Sequence, residues 1–340
     1  MTGKIDIVIA TYNRKDALAL LVKSLMELGD VIYRIIVVDS SDEEDMAVKA
    51  LEKVTYIRSS HANQPYQRYV GYLASSAEII IFLDDDMEIL DKNCCRKVQD
   101  AFADDSVVGV AINFENVNEF LNDKLPKSKL GNPAHVTGLK KVIKAFTGYP
   151  YLKEGEFWLC GVRGKQPGAG GNTKWVQGGA FAVRKDALYR NFNFALFDLF
   201  EKKMGMGEDV ILGFTLSRLG KLLYLPDRLF LHNDRKDSTY TLDIQSYGKR
   251  VAYSRLYLSM EYCRLTGKPN VLAISHFLWC VSWRLLGMGI NCLVDSTPER
   301  KSLFRGYAAG AMSSLKDRGI LSRYNDGSFW KSEADNDLGR

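Results

Sequence analysis

The stretch Ile79–Asp86 reads IIIFLDDD, an unbroken apolar run that stops at three consecutive carboxylic acids. A run this short and this rich in isoleucine reads as a strand buried on both faces. Adjacent carboxylates repel one another, so acids gathered at the tip of such a strand call for a cation to offset the repulsion. The same grammar recurs on either side. IDIVIA, YRIIVVD, VTYIR and SVVGVAINF are further β-branched runs, and helical patterns separate them over Lys15–Leu28, Glu44–Lys53, Gln64–Ser76 and Asp91–Ala103. This alternation predicts βαβ units and a doubly wound α/β domain whose parallel sheet is covered by helices on both faces.

Ligands of such sheets bind beyond the carboxyl ends of the strands. That rule places TYNR (Thr11–Arg14), DSSDE (Asp39–Glu43) and Asp84–Asp86 together on one rim, because each follows directly on its strand. The pattern breaks between Glu115 and Thr173, which contain a basic amphipathic piece, GLKKVIKAF (Gly138–Phe146), and a glycine-rich loop, GKQPGAGGN (Gly164–Asn172). The loop reads either as a surface excursion or as a lid over a bound substrate. Sheet-like sequence resumes in WVQGGAFAVRKDAL, followed by a helix opening at MGEDVIL and strands near KLLYLP and RLFLHND; three helices then fill Thr241–Asp317.

The chain has 340 residues, 46% hydrophobic and 26% charged, enough for one large core or two modest ones and ordinary for a soluble globular protein. A net charge of +5 is small for this length; it suggests a mild preference for anionic partners and no nucleic-acid footprint. The six cysteines form no CxxC pair, which suits reduced thiols and an expected cytoplasmic location. The opening MTGK runs straight into IDIVIA, so no signal peptide is expected.

Hard divalent cations take oxygen ligands, and one held by few protein carboxylates completes its shell with water and substrate phosphates. The strand-end acids therefore suit Mn²⁺ or Mg²⁺ beside a diphosphate, or else a solvated acidic turn. His232, at a predicted strand end, can add a ligand from across the cleft. Glu208–Asp209 open a predicted helix behind Gly205 and Gly207, where the helix dipole stabilises acids and a general base can face the rim.

In order along the chain, IATYNR, IIVVDSSDE, QRYVGYLASSAEIIIFLDDD, WVQGGAFAVRKDAL, GEDVIL and LHND resemble the inverting glycosyltransferases of the GT-A fold, family 2, over roughly residues 4–235. The resemblance implies a Rossmann-like mixed sheet flanked by helices, with a catalytic domain over 1–240 that carries the insertion at 115–173. A C-terminal helical region would occupy 241–340. It further implies a nucleotide-sugar donor, expected to be UDP-linked, and a glycan or polyprenyl-diphosphate-linked acceptor. Thr11, Tyr12 and Asp39 would line the base and ribose pocket with Arg14 on the same rim, and Arg68 would lie under the diphosphate or brace the acids. Asp84 would face the ribose, Asp85 would complete the donor site, and Asp86 and His232 would hold the metal. Asp209 would deprotonate the acceptor with Glu208 as its orienting neighbour, and Gly178 and Gly179 would let backbone approach the sugar. Many relatives carry Arg-Asn where this chain has Arg68–Tyr69.

Val271–Val294 is apolar and long enough to span a bilayer, but it carries His276, Arg284 and Asn291. Transmembrane, interfacial and packed placements remain open for it, the last on the core or on a second subunit of a homo-oligomer. An interfacial placement would suit an enzyme building a cell-envelope or capsular polysaccharide at the inner face of the membrane. Two other functional classes compete: a catalytically silent glycan-binding or scaffold subunit, and a sugar-nucleotide nucleotidyltransferase. TYNRKD lacks the glycine-rich triphosphate loop that the nucleotidyltransferase needs, and the missing GxGxxG turn argues against a dinucleotide enzyme.

Overall fold

A computed structural model describes residues 4–116, 138–233 and 243–340. Asp234 of LHND and residues 117–137 of the expected insertion lie outside the described residues. Chain order runs β1 (Ile5–Thr11), α1 (Lys15–Met26), β2 (Ile32–Asp39), α2 (Met46–Lys49), β3 (Val54–Arg58), α3 (Gln64–Ala74), β4 (Ile79–Asp84), β5 (Met87–Ile89), α4 (Cys94–Ala101) and β6 (Val107–Asn116). After α5 (Gly138–Phe146) come the short β7 (Phe157–Trp158), β8 (Val162–Arg163) and β9 (Gly171–Asn172), then β10 (Ala180–Arg184), α6 (Ala195–Glu201), α7 (Glu208–Ser217) and β11 (Lys221–His232). The chain ends with α8 (Ile244–Thr266), α9 (Asn270–Val294), α10 (Pro298–Lys316), α11 (Arg318–Leu321) and α12 (Ser328–Asp337).

The main sheet is ordered β3-β2-β1-β4-β10-β6-β11-β5, with β9 added to β11. Alternate residues of its central strands face opposite cores. Val8, Ile36, Val38, Ile80, Phe82 and Phe181 pack toward α3 and α6, while Ile7, Ile9, Ile35, Val37, Ile81 and Leu83 pack toward α1 and α4. Burial on both faces is why these strands read as continuous apolar runs rather than as alternations. Helix α3 lies so close to β1 that a Cβ on Gly71 would stand 2.4 Å from Val8 Cγ1.

The sheet is mixed, as the family resemblance implies, rather than the parallel sheet that the alternating runs alone suggest. β1, β2, β3 and β4 run parallel, but β10 pairs antiparallel with both β4 and β6. The reason is topological. β6 ends at the carboxyl rim, and the excursion that follows re-enters the sheet from that same rim at Gly179, so β10 must run the other way. The two strands expected near KLLYLP and RLFLHND are one strand, β11, with register shifts beside Pro226, which has no N–H for the ladder. The helix expected over Glu44–Lys53 shrinks to the single turn of α2, capped by the Asp45 carboxylate on the amides of Ala47 and Val48. Part of the glycine-rich loop is tied down as β9, with Gly171 and Asn172 paired to Tyr224 and Leu223.

Helices α8 and α10 pack in close contact because three glycines let their backbones meet. A Cβ on Gly306 or Gly310 would stand 2.0 Å from Gln245 O or 2.1 Å from Lys249 O, and one on Gly248 would stand 2.7 Å from Leu303 O. Helices α11 and α12 were not anticipated. α12 folds back onto α3, burying Trp330 against His61 and Tyr66, and its Asp337 accepts a hydrogen bond from the Tyr66 hydroxyl at 2.8 Å. α9 buries Ala273, Phe277, Cys280 and Val281 and leaves Val271, Leu286, Ile290, Leu293 and Val294 exposed. By length and composition alone it could cross a membrane.

Because backbone faces the missing Cβ atoms, Gly306→Ala and Gly310→Ala should each destabilise the protein by about 1–3 kcal/mol in urea unfolding, the usual cost of overpacking. Gly287→Ala, on α9 with open space around it, should be neutral or stabilising by up to about 1 kcal/mol. Equal behaviour of the three variants would show that the α8–α10 contact is not as close as described.

Candidate active site

Three strand ends and two helices converge on the carboxyl rim. The three acids leave β4 in a tight turn, and each turns to a different partner. Asp84 accepts from Arg68 Nη2 at 2.7 Å and from Gln64 Nε2 at 2.8 Å, both side chains on one face of α3. Asp85 accepts from Thr11 Oγ1 at 2.7 Å and from Arg14 Nη1 at 3.0 Å. Asp86 accepts from Arg14 Nη1 at 2.7 Å and faces His232 Nε2 at 3.1 Å, since β5 and β11 bring Met87 opposite His232.

Charge and burial divide these acids. Burial chiefly pushes Asp85 up to about 6; Arg14 opposes the shift and the Asp86 charge adds to it. Burial acts to raise Asp86 as well, but hydrogen bonding and charge from His232 and Arg14 outweigh it and hold this carboxyl below its ordinary value. Arg14 is thus a built-in cation lying between Asp85 and Asp86.

The Glu208–Asp209 pair starts α7 on the other side of Arg68. Gly207, at φ 82°, supplies the left-handed turn that aims the helix start at the rim. Asp209 Oδ2 accepts the Gly178 amide at 2.6 Å, and Glu208 Oε1 lies 3.8 Å from Arg68 Nη1. Burial, reinforced by the Asp209 charge and countered by Arg68, pushes Glu208 up to about 7. Gly178 and Gly179 bridge the two groups of acids. Gly179 O accepts the Asp84 amide at 2.9 Å, and its φ of 105° would strain any other residue. Two guanidinium groups, Arg14 and Arg68, therefore face five carboxylates.

The remaining expected donor-site residues lie at the same mouth. The Thr11 side chain is buried under Asp85, and Tyr12 is 45% exposed beside it. Asp39 is buried and serves as a hub, accepting from the Ser41 amide at 2.7 Å, from Arg58 Nη1 at 3.0 Å and from the Tyr56 hydroxyl. Tyr56, Arg58 and Gln64 escaped the sequence reading. Only Gln64 had a legible signal, its i,i+4 spacing from Arg68 on a predicted helix. Asn13 and Ser41 lay within the rim stretches TYNR and DSSDE without a role of their own; Asn13 adopts a φ of 53°, and its amide donates to Ser41 Oγ at 2.7 Å, tying the β1 and β2 loops together.

One oxygen or nitrogen atom from each of Asp84, Asp86 and His232 lies within 4.8 Å of the others. Two carboxylates and an imidazole suit Mn²⁺ or Mg²⁺. Asp86 Oδ1 is buried and faces His232 Nε2 at 3.1 Å, another member of the same ligand set. The residues present fit a divalent ion.

Comparison with known proteins bears on this arrangement. The family model described as "Glycosyl transferase family 2" matches residues 6–189, more than half of the chain. No curated protein sequence matches. Among solved structures, the mannosyltransferase PcManGT from Pyrobaculum calidifontis, in complex with GDP-Man and Mn²⁺, is 13% identical with a TM-score of 0.47, covering 99% of this chain and 88% of that one. S. aureus TarS 1–349 is 11% identical with a TM-score of 0.45, covering 92% and 91%; its complex with UDP-GlcNAc is 14% identical with a TM-score of 0.43, covering 92% of each chain. The family model spans the segments that carry Thr11–Arg14, Asp39, Arg68, Asp84–Asp86 and Gly178–Gly179, with Glu208–Asp209 and His232 beyond its end, and the chain belongs to glycosyl transferase family 2 and is a glycosyltransferase of the GT-A fold.

Proposed function

We propose that the protein is a divalent-cation-dependent, inverting glycosyltransferase. It moves a sugar from a nucleoside-diphosphate donor, UDP-linked, to a hydroxyl of a glycan or polyprenyl-diphosphate-linked acceptor in envelope or capsular polysaccharide synthesis. One observation carries this reading: Asp84, Asp86 and His232 meet within metal-binding distance on the rim that also holds Glu208–Asp209, with Arg68 between the two groups.

Asp86 and His232, with Asp84, would hold Mn²⁺ or Mg²⁺, and the ion would supply positive charge against the negative charge developing on the leaving diphosphate. Thr11, Tyr12, Arg14 and Asp39 line the nucleotide end of the cleft. Gly178 and Gly179 admit the sugar close to the backbone, where a side chain would stand in its way. The Gly178 amide anchors Asp209 Oδ2 and so turns Oδ1 toward the acceptor hydroxyl. Asp209 takes the hydroxyl proton while the acceptor oxygen attacks C1 from the face opposite the diphosphate, which inverts that centre. Asp209 is assigned the base role because the Gly178 amide fixes its carboxylate, with Glu208, its carboxyl pushed up to about 7 chiefly by burial, as its orienting neighbour.

The exposed apolar side of α9, together with the nearby Lys268 and Arg284, suits the headgroup layer on the cytoplasmic side of a membrane. There a lipid-linked acceptor would be presented to the rim.

Four measurements test this reading. UDP with Mn²⁺ should raise the melting temperature of the wild type, and the rise should vanish in EDTA and in Asp86→Ala; a metal-independent rise in both proteins would remove the acids from the donor site. Asp209→Asn should keep that rise and lose about 10²–10⁴-fold in kcat, and near wild-type turnover would move the base elsewhere. Glu208 gives a pH signature: its folded value lies above the ordinary 4.5, so the folded state binds more protons and this group's contribution to stability declines as pH rises through about 4.5–7. Glu208→Gln should therefore gain stability over wild type across that window, and a pH-independent difference would contradict the shift. Finally, the protein should sediment with anionic vesicles at low salt. Full recovery in the supernatant as a discrete dimer would assign the α9 face to self-association.

A further inference from the structure

A second cluster lies away from the rim, where the excursion meets the C-terminal helices. Cys160 Sγ stands 3.3 Å from His276 Nδ1, and Cys280 Sγ stands 3.6 Å from the same nitrogen. The three ligand atoms all fall within 4.8 Å of one another, and both sulfurs are buried. His276 and Cys280 share one face of α9 at i,i+4 spacing. Cys160 arrives from a turn 116 residues earlier.

We propose that Cys160, His276 and Cys280 form a zinc site, separate from the oxygen-rich site on the rim, which clips the 148–161 segment to α8 and α9. In tetrahedral zinc with Zn–S near 2.3 Å and Zn–N near 2.05 Å, a sulfur and a nitrogen ligand stand about 3.6 Å apart. The separations of 3.3 and 3.6 Å are close to that edge, and because Cys280 Sγ also lies 3.6 Å from Nε2, the imidazole turns about its Cβ–Cγ bond on binding to aim Nδ1 at the ion. Two thiolates and an imidazole select a thiophilic ion, whereas two carboxylates and an imidazole favour Mn²⁺ or Mg²⁺, so the two sites sort different metals. On binding, the two thiols release their protons to solvent, Cys280 gives up its S–H bond to Gly148 O, and a water completes the shell.

The surroundings are built to present these atoms. Cys160 adopts a φ of 57°, a left-handed conformation that costs a non-glycine residue energy and turns its sulfur toward α9. Its amide donates to Ser259 Oγ at 2.7 Å, and the Ser259 hydroxyl donates back to the sulfur at 3.2 Å; Arg255 Nη1 holds the Cys160 carbonyl at 2.9 Å. Such outer bonds orient ligands in metal sites. The His276 ring is set edge-on to Trp158 with centroids 4.5 Å apart. A Cβ on Gly148 would come within 2.3 Å of Cys280 Sγ, so only glycine leaves room for that sulfur. The clip also reaches toward catalysis, because Gly161 and Gly207 both pack against Leu258, and Gly207 begins the helix that carries Glu208–Asp209.

The test loads the reduced, EDTA-treated full chain with Co²⁺ and with Zn²⁺. Wild type should bind one equivalent of zinc that survives dialysis and should show a thiolate-to-cobalt charge-transfer band in the near ultraviolet. Cys160→Ser and His276→Gln should lose both, while Asp86→Ala keeps both. Ser259→Ala should weaken zinc binding about 10-fold. His276 is partly exposed, so its variant carries the test if a cysteine variant fails to fold. Absence of the band in reduced wild type, or its persistence in the Cys160→Ser/His276→Gln double variant, would overturn the site. A metal-free protein isolated without reductant and carrying a Cys160–Cys280 disulfide would also overturn it, in favour of a redox pair.

Discussion

Mutual repulsion among Asp84, Asp85 and Asp86 is the constraint around which the catalytic half is arranged. Three acids at the mouth of a buried strand have to be neutralised from outside that strand, and every neighbouring element sends a group to do so. β1 supplies Thr11 and the loop after it Arg14, α3 supplies Gln64 and Arg68, and β11 supplies His232. The excess of carboxylate over guanidinium that remains suits the rim to a divalent cation and a diphosphate.

Arg68 links this constraint to the second group of acids. It is buried between Asp84 and Glu208, and a charge in that position is costly to leave unpaired. The pairing holds α7 at a set distance from β4, and with it the width of the gap between the two groups of acids. Gly178 and Gly179 close the circuit by bonding Asp209 on one side and Asp84 on the other through backbone alone.

The C-terminal helices support the rim from behind. α8 and α10 meet through glycines, α12 returns to cover Tyr66 at the start of α3, and the Cys160–His276–Cys280 cluster joins α9 to the excursion. The support behind the rim is thus formed by chain segments far apart in sequence.

What was legible in the sequence was whatever has a local cause. Apolar runs mark the strands because both faces of the sheet are buried, and acids directly after a run lie on the rim because the strand ends there. Asp84–Asp86, Glu208–Asp209 and His232 were found in this way. What depends on distant neighbours was not legible. The reversed direction of β10 follows from where a 63-residue excursion re-enters the sheet, and the roles of Tyr56 and Arg58 on Asp39 follow from side chains crossing between strands. The docking of α12 and the meeting of Cys160 with His276 and Cys280 likewise require chain segments separated by a hundred residues or more to be folded together first. Sequence alone determined which elements form and which of their ends carry charge, because periodicity and strand ends are set by burial over a few residues. Only the tertiary structure decided which charges pair and which sulfurs meet, because those contacts are set by how the elements pack.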